Sequence, residues 1–380
     1  MSGKQGKYKG VKGHNQRQGM GRLRRANTSD PGRVGGYERH DEDAEIFDRL
    51  GSLARASHGG ESLLAKFNRL AGIPEQAGGE RGEICGFAGT LTLVRAAAGA
   101  EVPCSVRQVL KKRVKGVKNP LCVGDLVTFE RAADGSGVID AVAPRRNQLE
   151  RADSHNRSLI HVFASNIDAL VVVSSLHEPD IKLGLIDRYL LIAAANRIPA
   201  CLVINKSDLG DPSFALTLYR GIGIPCFATI ATGTGDSGPD LAALREHLHG
   251  KACVIAGQSG VGKSSLVNTL FPGTGARVGV VADAGHGRHT TTSSRSYLMP
   301  DGARLIDTPG VRECSITGLV PLDVSLLYPD IAAFHQACHF KDCTHLHEPE
   351  CAVRTAVEDG RIADTRYDSY CSIILEDLVM

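Results

Sequence analysis

The stretch KACVIAGQSGVGKSSLVNTL, residues 251–270, combines an apolar strand, a glycine-rich turn and the beginning of a helix. The turn fits the pattern G-x-x-x-x-G-K-S, in which glycines let backbone N–H groups approach phosphate oxygens. Lys263 adds a positive charge at the β- and γ-phosphates, Ser264 supplies a hydroxyl for Mg²⁺, and the helix dipole adds to the attraction. Because a strand precedes the turn and a helix follows it, we predict a nucleotide phosphate loop rather than a chance glycine-rich turn. The residues expected to contact the nucleotide are Gly257, Gln258, Ser259, Gly260, Val261, Gly262, Lys263, Ser264 and Ser265.

A second motif, INKSDL at residues 204–209, bears on the identity of the base, and we call it the guanine loop. The carboxylate of Asp208 can accept hydrogen bonds from N1–H and the exocyclic amine of guanine, a donor pair that adenine lacks. Asn205 can fix the loop and contact the base, and the stem of Lys206 can cover the ring. The alternative, an ordinary strand-to-helix turn, is disfavoured by the phosphate loop in the same chain. A further base contact is expected from TIATG, residues 229–233, which matches the usual S-A-x-T-G only loosely.

Two more polar loops have the composition of nucleotide switches. The stretch LIDTPGVREC contains D-T-P-G after a buried strand, so Asp307 is expected to hold Mg²⁺ and the N–H of Gly310 to meet the γ-phosphate. Upstream, GHGRHTTTSSR is a polar, glycine-containing loop with three consecutive threonines. One threonine is expected to close onto Mg²⁺ and the γ-phosphate, with Thr291 our first choice. The candidates are Thr290, Thr291 and Thr292.

The pattern of apolar and polar residues changes along the chain, which predicts several domains. Short apolar runs separated by turn signals between Gly82 and Val142 suggest a small barrel, an OB-fold. From Asn166, buried strands alternate with helical patterns, as in a doubly wound parallel sheet. The tail from Pro321 has helical patterns. We therefore expect a basic disordered arm over 1–40, an extension of unknown role with helical patterns over 41–81, a barrel over 82–148, an α/β domain over 155–318 and a helical domain over 319–380.

The charge distribution points to nucleic acid. Residues 1–39 hold ten lysines and arginines against Asp30 and Glu38, and they contain few large apolar residues. Such a segment cannot offset its ordering entropy, so we expect a disordered arm that neutralises phosphates, or else a merely solubilising tail. The basic run at residues 106–120 would give the barrel a cationic surface suited to RNA, or an edge strand kept positive against aggregation.

Composition also bears on the compartment. The 11 cysteines are odd in number and scattered over 380 residues, which is not a disulfide framework. The N-terminus lacks the apolar core of a signal peptide, and no apolar run approaches the length of a membrane span. We therefore expect a cytoplasmic monomer with no membrane partner.

The segment QACHFKDCTHLHEPECAVR, residues 336–354, has the composition of a metal site. Three thiolates and one imidazole would make a closed tetrahedral zinc shell with no open position, which favours a structural role. A set of free core cysteines is the alternative, but the segment is too polar for a core. The thiolates are Cys338, Cys343 and Cys351. The histidines that compete for the fourth position are His339, His345 and His347.

The order of these motifs is unusual, because the guanine loop precedes the phosphate loop, whereas most GTPases place it last. A circular permutation accounts for this order, since domain termini often lie close together. The chain resembles the circularly permuted ribosome-associated GTPases of the RsgA/YjeQ family. The motifs that support this resemblance are, in order, INKSDL, GQSGVGKSS, GRHTTT, DTPGVRE and the cysteine/histidine segment. The resemblance covers about residues 82–375. Residues 40–80 depart from the short tail expected there.

The resemblance implies an N-terminal OB-fold barrel, a central circularly permuted α/β P-loop GTPase and a C-terminal, mostly helical zinc-binding domain. It favours His345 as the fourth zinc ligand and implies Mg²⁺ with the bound GTP. It also implies binding of the small ribosomal subunit and its rRNA in late assembly, with GTP hydrolysis to GDP coupled to release.

The D-T-P-G motif does not supply a group that orients the attacking water. Val311 follows D-T-P-G where many GTPases have a glutamine that orients the attacking water, and valine cannot bond water. His289, beside the threonines, is our candidate, and the resemblance points to the same residue. A ribosomal group supplied in trans is the alternative. Lys263 and Thr291 complete the expected catalytic set. The other functions considered are a GTP-gated RNA-binding module with little hydrolysis and a P-loop kinase.

Overall fold

The computed structural model of this chain describes residues 63–70, 79–107, 121–152, 160–231, 238–271, 294–307 and 319–375. Several predictions concern residues outside these ranges. They include the arm 1–40, most of the extension 41–81 and nearly all of the basic run after Arg107. The threonine loop with His289 and Thr291 also lies outside the described residues, as do Gly310 and Val311.

The first part of the chain forms a closed barrel of five strands in the order β1-β2-β3-β5-β4. The strands are β1 (Glu80–Ala88), β2 (Leu91–Ala96), β3 (Glu101–Val106), β4 (Leu126–Arg131) and β5 (Gly137–Val142). Neighbours are antiparallel except β3 and β5, and β1 closes the barrel against β4. Alternate residues point inward, as the period of a strand requires, and the interior is filled by Ile84, Val94, Val102, Phe129 and Ile139. The OB-fold prediction is confirmed.

A short helix covers part of this barrel. Helix α1 (Leu63–Leu70) inserts Phe67 into the barrel core, and the guanidinium of Arg145 lies 3.6 Å from the centre of its ring. Asn68 exchanges two hydrogen bonds with the backbone of Arg145, at 2.7 and 2.8 Å. Arg145 in turn forms a buried bidentate pair with Asp125. Residues 63–70 of the predicted extension thus form a helix that contributes Phe67 to the barrel core.

A two-stranded ribbon, β6 (Gln148–Ala152) and β7 (Ile160–Ser165), leads from the barrel into a six-stranded sheet. The sheet strands are β8 (Ala169–Ser175), β9 (Ala200–Asn205), β10 (Cys226–Ala228), β11 (Ala252–Ala256), β12 (Arg295–Leu298) and β13 (Arg304–Asp307). Their order is β10-β9-β8-β11-β13-β12. All neighbours are parallel except β12, which pairs antiparallel with β13 at the edge.

Helices cover both faces of the sheet, as predicted for a doubly wound fold. They are α2 (Leu183–Ala195), α3 (Ser213–Gly221), α4 (Leu241–Leu248) and α5 (Lys263–Leu270). Every residue of β8 is buried because its two faces lie in separate cores. Leu170 and Val172 face one core, whereas Val171 and Val173 face the other. This explains the continuous apolar run in the sequence.

Polar contacts join the barrel to the last two strands of the sheet. Arg95 donates a hydrogen bond to the backbone oxygen of Ser296 at 2.6 Å, and Arg295 pairs with Glu101 at 2.8 Å. Arg304 of β13 pairs with Glu83 of β1. The barrel is therefore bonded to the sheet edge that contains β12 and β13.

The C-terminal region consists of helices, as predicted. They are α6 (Pro321–Leu327), α7 (Pro329–His335), α8 (Ala352–Glu358) and α9 (Asp364–Ile373). Their apolar side chains share one core with α2 and the sheet, so Val324, Ile331 and Tyr370 belong to the same cluster as Ile186 and Leu190. Among the described helices, none has the length and apolar character that a membrane crossing needs.

One buried ion network fixes these helices to the α/β domain. Arg366 of α9 forms a bidentate pair with Asp330 of α7, at 2.8 and 2.9 Å, and also pairs with Asp187 of α2. Tyr219 of α3 donates to the same oxygen of Asp187 at 2.7 Å. The Arg366 side chain is 3% exposed, so the network lies in a site of low polarity. A single guanidinium thus joins α9 to α7 and α2.

Replacing Arg366 with methionine should destabilise the C-terminal helices strongly. The substitution would leave the buried Asp187 and the partly buried Asp330 without their cation, and breaking a buried pair from one side typically costs about 3–5 kcal/mol. Arg361→Met is the matched control, because Arg361 forms a surface pair with Asp359 whose loss should cost about 1 kcal/mol or less. Urea unfolding followed by far-UV circular dichroism would measure both. Equal shifts in the two variants would contradict the structural role of the network.

Candidate functional site

The predicted nucleotide motifs meet at the carboxyl ends of the parallel strands. The phosphate loop follows β11, the guanine loop follows β9, and TIATG follows β10. These strands are parallel, so their carboxyl ends lie on the same side. In open α/β sheets, ligands bind in the crevice beyond these ends. The sheet therefore brings together motifs that are far apart in the sequence.

The phosphate loop requires its glycines. Gly257 has φ +151°, and a Cβ there would lie 2.1 Å from the backbone oxygen of Val173. Gly262 has φ +87°, and its Cβ would lie 2.3 Å from Nδ2 of Asn205. Both the left-handed backbone and the close approach exclude a side chain. The loop is thus packed against β8 and the guanine loop, while Ser259 and Gly260 are exposed.

Lys263 lies over this loop as the first residue of α5. Its Nζ donates to the backbone oxygens of Gly257, at 3.0 Å, and Gln258, at 2.6 Å. Ser264 and Ser265 follow in the first turn of the helix and are half-buried. The first turn of a helix presents unpaired N–H groups and the positive end of the dipole. This arrangement suits an anion with several negative oxygens.

Asn205 connects three loops and is fully buried. Its Nδ2 donates to the backbone oxygen of Val261 in the phosphate loop at 2.9 Å. Its Oδ1 accepts hydrogen bonds from the hydroxyl of Thr229 and from the N–H of Ala231, both at 3.0 Å. The guanine loop, the phosphate loop and the loop after β10 are therefore held by one side chain. The loose match TIATG contributes two of the three contacts.

The rest of the guanine loop is oriented outward. Lys206 has a left-handed backbone, φ 57°, and its ammonium donates to the backbone oxygen of Glu178 in the loop after β8. Its stem thus spans from one loop to the other. Asp208 follows in a short 3₁₀ turn, Ser207–Leu209, where its carboxylate is exposed to solvent. An exposed carboxylate beside a fixed loop can accept hydrogen bonds from a ligand.

Asp307 supplies a second carboxylate at the end of β13. Burial raises the pKa of this carboxyl from its ordinary value to about 6. A half-buried carboxylate of this kind is stabilised by a nearby cation, because opposite charge offsets the desolvation of the anion. A hard divalent cation prefers carboxylate and hydroxyl oxygens. Asp307 and the hydroxyl of Ser264 therefore fit the chemistry of a magnesium site.

The C-terminal helices bring together four side chains that could hold a metal ion, which we call the Cys/His cluster: Cys338, Cys343, His345 and Cys351. Their ligand atoms all lie within 4.8 Å of one another. His339 instead lies beside Glu350 at 3.6 Å with an exposed side chain, and His347 is exposed as well. Of the three competing histidines, only His345 joins the thiols.

The spacing within the Cys/His cluster fits a tetrahedral ion. Zinc–sulfur and zinc–nitrogen bonds imply sulfur–sulfur separations of about 3.8 Å and sulfur–nitrogen separations of about 3.6 Å. The Sγ atoms of Cys338 and Cys351 are 3.9 Å apart, and they lie 3.6 and 3.4 Å from Nδ1 of His345. Burial raises the pKa of Cys343 to about 12, so its thiolate needs a cation to form. Both geometry and chemistry fit a closed metal shell.

The loop that carries His345 is held by its neighbours. His345 has a left-handed backbone, φ 62°, and its carbonyl oxygen accepts a hydrogen bond of 2.6 Å from Tyr367. Glu348 accepts hydrogen bonds from the N–H groups of Thr344, Leu346 and His347. Although partial burial opposes the charge, a hydrogen bond from the hydroxyl of Thr344 together with these N–H bonds lowers the pKa of Glu348 to about 2. The ligand loop is therefore shaped by hydrogen bonds of its own.

Sequence reasoning missed several residues that shape these sites. The nitrogen Nε2 of His345 lies 2.9 Å from Nδ1 of His335, which no motif had singled out. Glu348 and Tyr367 were also not anticipated, since their contacts form only when the chain folds. His289, Thr291 and Gly310 lie outside the described residues. The loose sequence match at TIATG was the one signal that pointed to Thr229.

Replacing Asn205 with alanine should weaken nucleotide binding by at least about tenfold, since an unsatisfied buried polar group costs about 1–3 kcal/mol. The loss would leave the carbonyl of Val261 and two donors without their partner. Asn196→Ala is the matched control, because the side chain of Asn196 also donates to the backbone, at the end of α2 and outside the nucleotide motifs. Titration of a fluorescent GDP analogue would measure both affinities. Equal affinities would show that the three loops hold their places without Asn205.

Comparison with known proteins identifies the family of this chain. The family model described as RsgA GTPase matches residues 142–317. A "Small ribosomal subunit biogenesis GTPase RsgA" from Porphyromonas gingivalis is 41% identical over 303 residues, which cover 76% of this chain and 94% of the relative. The protein of the same name from Actinobacillus pleuropneumoniae is 38% identical over 295 residues, 75% of this chain and 84% of its own.

Solved structures agree with the sequence relatives. YjeQ from Thermotoga maritima superposes with a TM-score of 0.62 at 30% identity, over 78% of this chain and 98% of its own. YloQ, described as a circularly permuted GTPase, gives a TM-score of 0.61 at 27% identity, over 80% and 97% of the two chains. The predictions of fold class, circular permutation and family are confirmed. The barrel, the motif order and these relatives together show that the chain belongs to the RsgA GTPase family.

Proposed function

We propose that this protein hydrolyses GTP and acts in assembly of the small ribosomal subunit. The observation that carries the GTP assignment is the contact of Asn205 with Val261, which fixes the guanine loop beside the phosphate loop. Asp208, three residues further along the same loop, is exposed, which supports its proposed role in reading guanine. The role in the small subunit is supported by the name of the relatives from Porphyromonas gingivalis and Actinobacillus pleuropneumoniae.

Each motif has a distinct part in the proposed reaction. Backbone N–H groups from Gly257 to Gly262 and the ammonium of Lys263 bind the phosphates and stabilise the charge that develops on them. Ser264 and Asp307 would hold Mg²⁺, which neutralises the β- and γ-phosphate oxygens when bound. Lys206 and Asp208 would bind the base, and the buried Asn205 would hold the loop that contains them. The nucleotide is thereby positioned from both ends.

The remaining roles belong to the predicted switch residues. Thr291 would close onto Mg²⁺ and the γ-phosphate, and the N–H of Gly310 would meet the same phosphate. His289 would orient the attacking water, because Val311 has no polar atom to do so. Because Val311 replaces a polar group that would orient the water, we expect slow GTP hydrolysis by the protein alone and faster hydrolysis on the small ribosomal subunit.

We also propose that the Cys/His cluster holds one structural zinc ion. Its shell of Cys338, Cys343, His345 and Cys351 is complete, which leaves no position for a substrate. The ion would fix the ligand loop against α8 and α9 rather than take part in hydrolysis.

RNA binding would involve the barrel, the basic arm and the C-terminal helices. The bonds from Arg95 and Glu101 to β12 connect the barrel with the α/β domain close to Asp307, since Arg295 lies opposite Asp307 in the sheet. Binding of rRNA to the barrel can therefore affect the nucleotide site. We propose that hydrolysis is coupled to release from the small subunit.

GTP hydrolysis by the purified full-length chain should rise strongly when small ribosomal subunits are added and should stay near its basal rate with large subunits. Release of phosphate would be measured at matched salt, because contacts with rRNA weaken as salt rises. Lys263→Ala should abolish hydrolysis in both conditions and so serves as the control for contaminating nucleotidases. A basal rate that no ribosomal particle changes would remove the assembly role and leave the GTPase.

Replacing Asp208 with asparagine should shift preference from GTP toward XTP. An asparagine amide can donate to the carbonyl oxygen that xanthine carries in place of the guanine amine, whereas it cannot accept both guanine donors. Asp211→Asn is the matched control, since Asp211 lies three residues away and accepts from Ser213 instead. Direct titration with fluorescent analogues of GTP, ATP and XTP gives the preference of each variant. An unchanged preference for GTP would show that residues other than Asp208 recognise the base.

A further inference from the structure

The two ring nitrogens of His345 face different groups. Nδ1 lies 3.6 Å from Sγ of Cys338 and 3.4 Å from Sγ of Cys351, within the Cys/His cluster. Nε2 points away from the thiols and lies 2.9 Å from Nδ1 of His335. A neutral imidazole that offers one nitrogen to a metal ion carries its proton on the other nitrogen. With an ion at Nδ1, Nε2 is therefore a donor, and the atom it meets must be an acceptor.

His335 is placed to be that acceptor. It is the last residue of α7, it is 9% exposed, and its ring stands almost perpendicular to that of His345, at 87°. This arrangement brings the two nitrogens together edge to edge without stacking the rings. The same turn leads to the first ligand, since the N–H of Cys338 bonds the carbonyl oxygen of His335 at 3.1 Å. The end of α7 therefore positions both the candidate ligand Cys338 and His335, the hydrogen-bond partner of the candidate ligand His345.

The other contacts of His345 fix its backbone, and its buried ring lies 6.0 Å from the ring of Tyr370. Tyr367 donates a hydrogen bond to the carbonyl oxygen of His345, and the left-handed φ of His345 sets the direction of its Cβ. Among the described residues, the hydrogen-bond partner of Nε2 is Nδ1 of His335. Partners of this kind set the tautomer and ring orientation of metal-bound histidines, and their loss typically lowers metal affinity about 10–100-fold.

We propose that His335 is a positioning residue for the metal ion of the Cys/His cluster. It accepts the hydrogen bond from Nε2–H of His345, and so it keeps the lone pair of Nδ1 directed at the ion. This inference rests on the metal site of the proposed function and adds a fifth residue, which does not itself touch the ion.

The test is zinc affinity of the full-length chain, measured by competition with a chromophoric chelator. His335→Leu should weaken Zn²⁺ binding about 10–100-fold, because it replaces the hydrogen-bond acceptor with an apolar side chain of similar size. His335→Asn should recover much of the loss, since Oδ1 of asparagine can occupy the position of Nδ1. The matched control is His339→Ala, which changes an exposed histidine of the same segment and should leave the affinity within about twofold of the parent.

Cobalt substitution supplies a second readout, independent of GTP hydrolysis. The visible bands of Co²⁺ bound to His335→Leu should shift or weaken relative to the parent, because His345 no longer holds one orientation. His335→Asn should keep the parent spectrum. A role confined to packing would instead lower thermal stability in both variants and leave the ligand bands unchanged.

The outcomes separate this inference from the metal site on which it rests. Equal Zn²⁺ affinities for His335→Leu, His335→Asn and the parent would overturn the role of His335. If Cys343→Ser, which removes a ligand, also bound Zn²⁺ as tightly as the parent, the metal site itself would fail. Should His335→Leu not fold, His335→Asn and the parent still decide, because a large loss in the asparagine variant contradicts the acceptor role.

Discussion

The buried amide of Asn205 is the contact on which the nucleotide site depends. Its Nδ2 bonds the phosphate loop, and its Oδ1 bonds both groups offered by the loop after β10. All three loops leave the carboxyl ends of parallel strands, so the sheet brings them within reach of one side chain. The order of the loops along the chain does not enter this geometry. A guanine loop that precedes the phosphate loop by about fifty residues therefore builds the same site as one that follows it.

The barrel is connected to the edge of the sheet close to the nucleotide site. Strand β12 pairs with β13 so that Arg295 lies opposite Asp307, and the barrel binds the same strand through Arg95 and Glu101. The Arg95 side chain is 9% exposed, so its bond to the β12 backbone is shielded from water. A displacement of the barrel would move β12, and β12 is hydrogen-bonded to the strand that ends in Asp307. The joint between domains lies directly beside a residue proposed to hold Mg²⁺.

Local patterns in the sequence predicted the elements of the fold but not the contacts between them. The apolar run of β8, the glycines of the phosphate loop and INKSDL follow from short-range rules of burial, turn geometry and hydrogen bonding. Arg366 and Asp187 are 179 residues apart, and nothing local to either residue indicates the other. The same holds for Asn68 with Arg145, which gave the helix at 63–70 its place on the barrel. His345 could be preferred over its neighbours from the family resemblance, whereas its contact with His335 required the structure.

The C-terminal helices are attached to the α/β domain twice. The chain enters them shortly after Asp307, and α9 returns to α2 through the buried pair of Arg366 with Asp187. Helix α7 contains both Asp330, which completes that network, and His335, which meets the Cys/His cluster. An ion in the cluster would orient His345 and through it α7, so metal occupancy and the anchoring of these helices to α2 favour the same arrangement. Because α2 follows the loop in which Glu178 accepts a hydrogen bond from Lys206, both the Cys/His cluster and the nucleotide site are connected to α2.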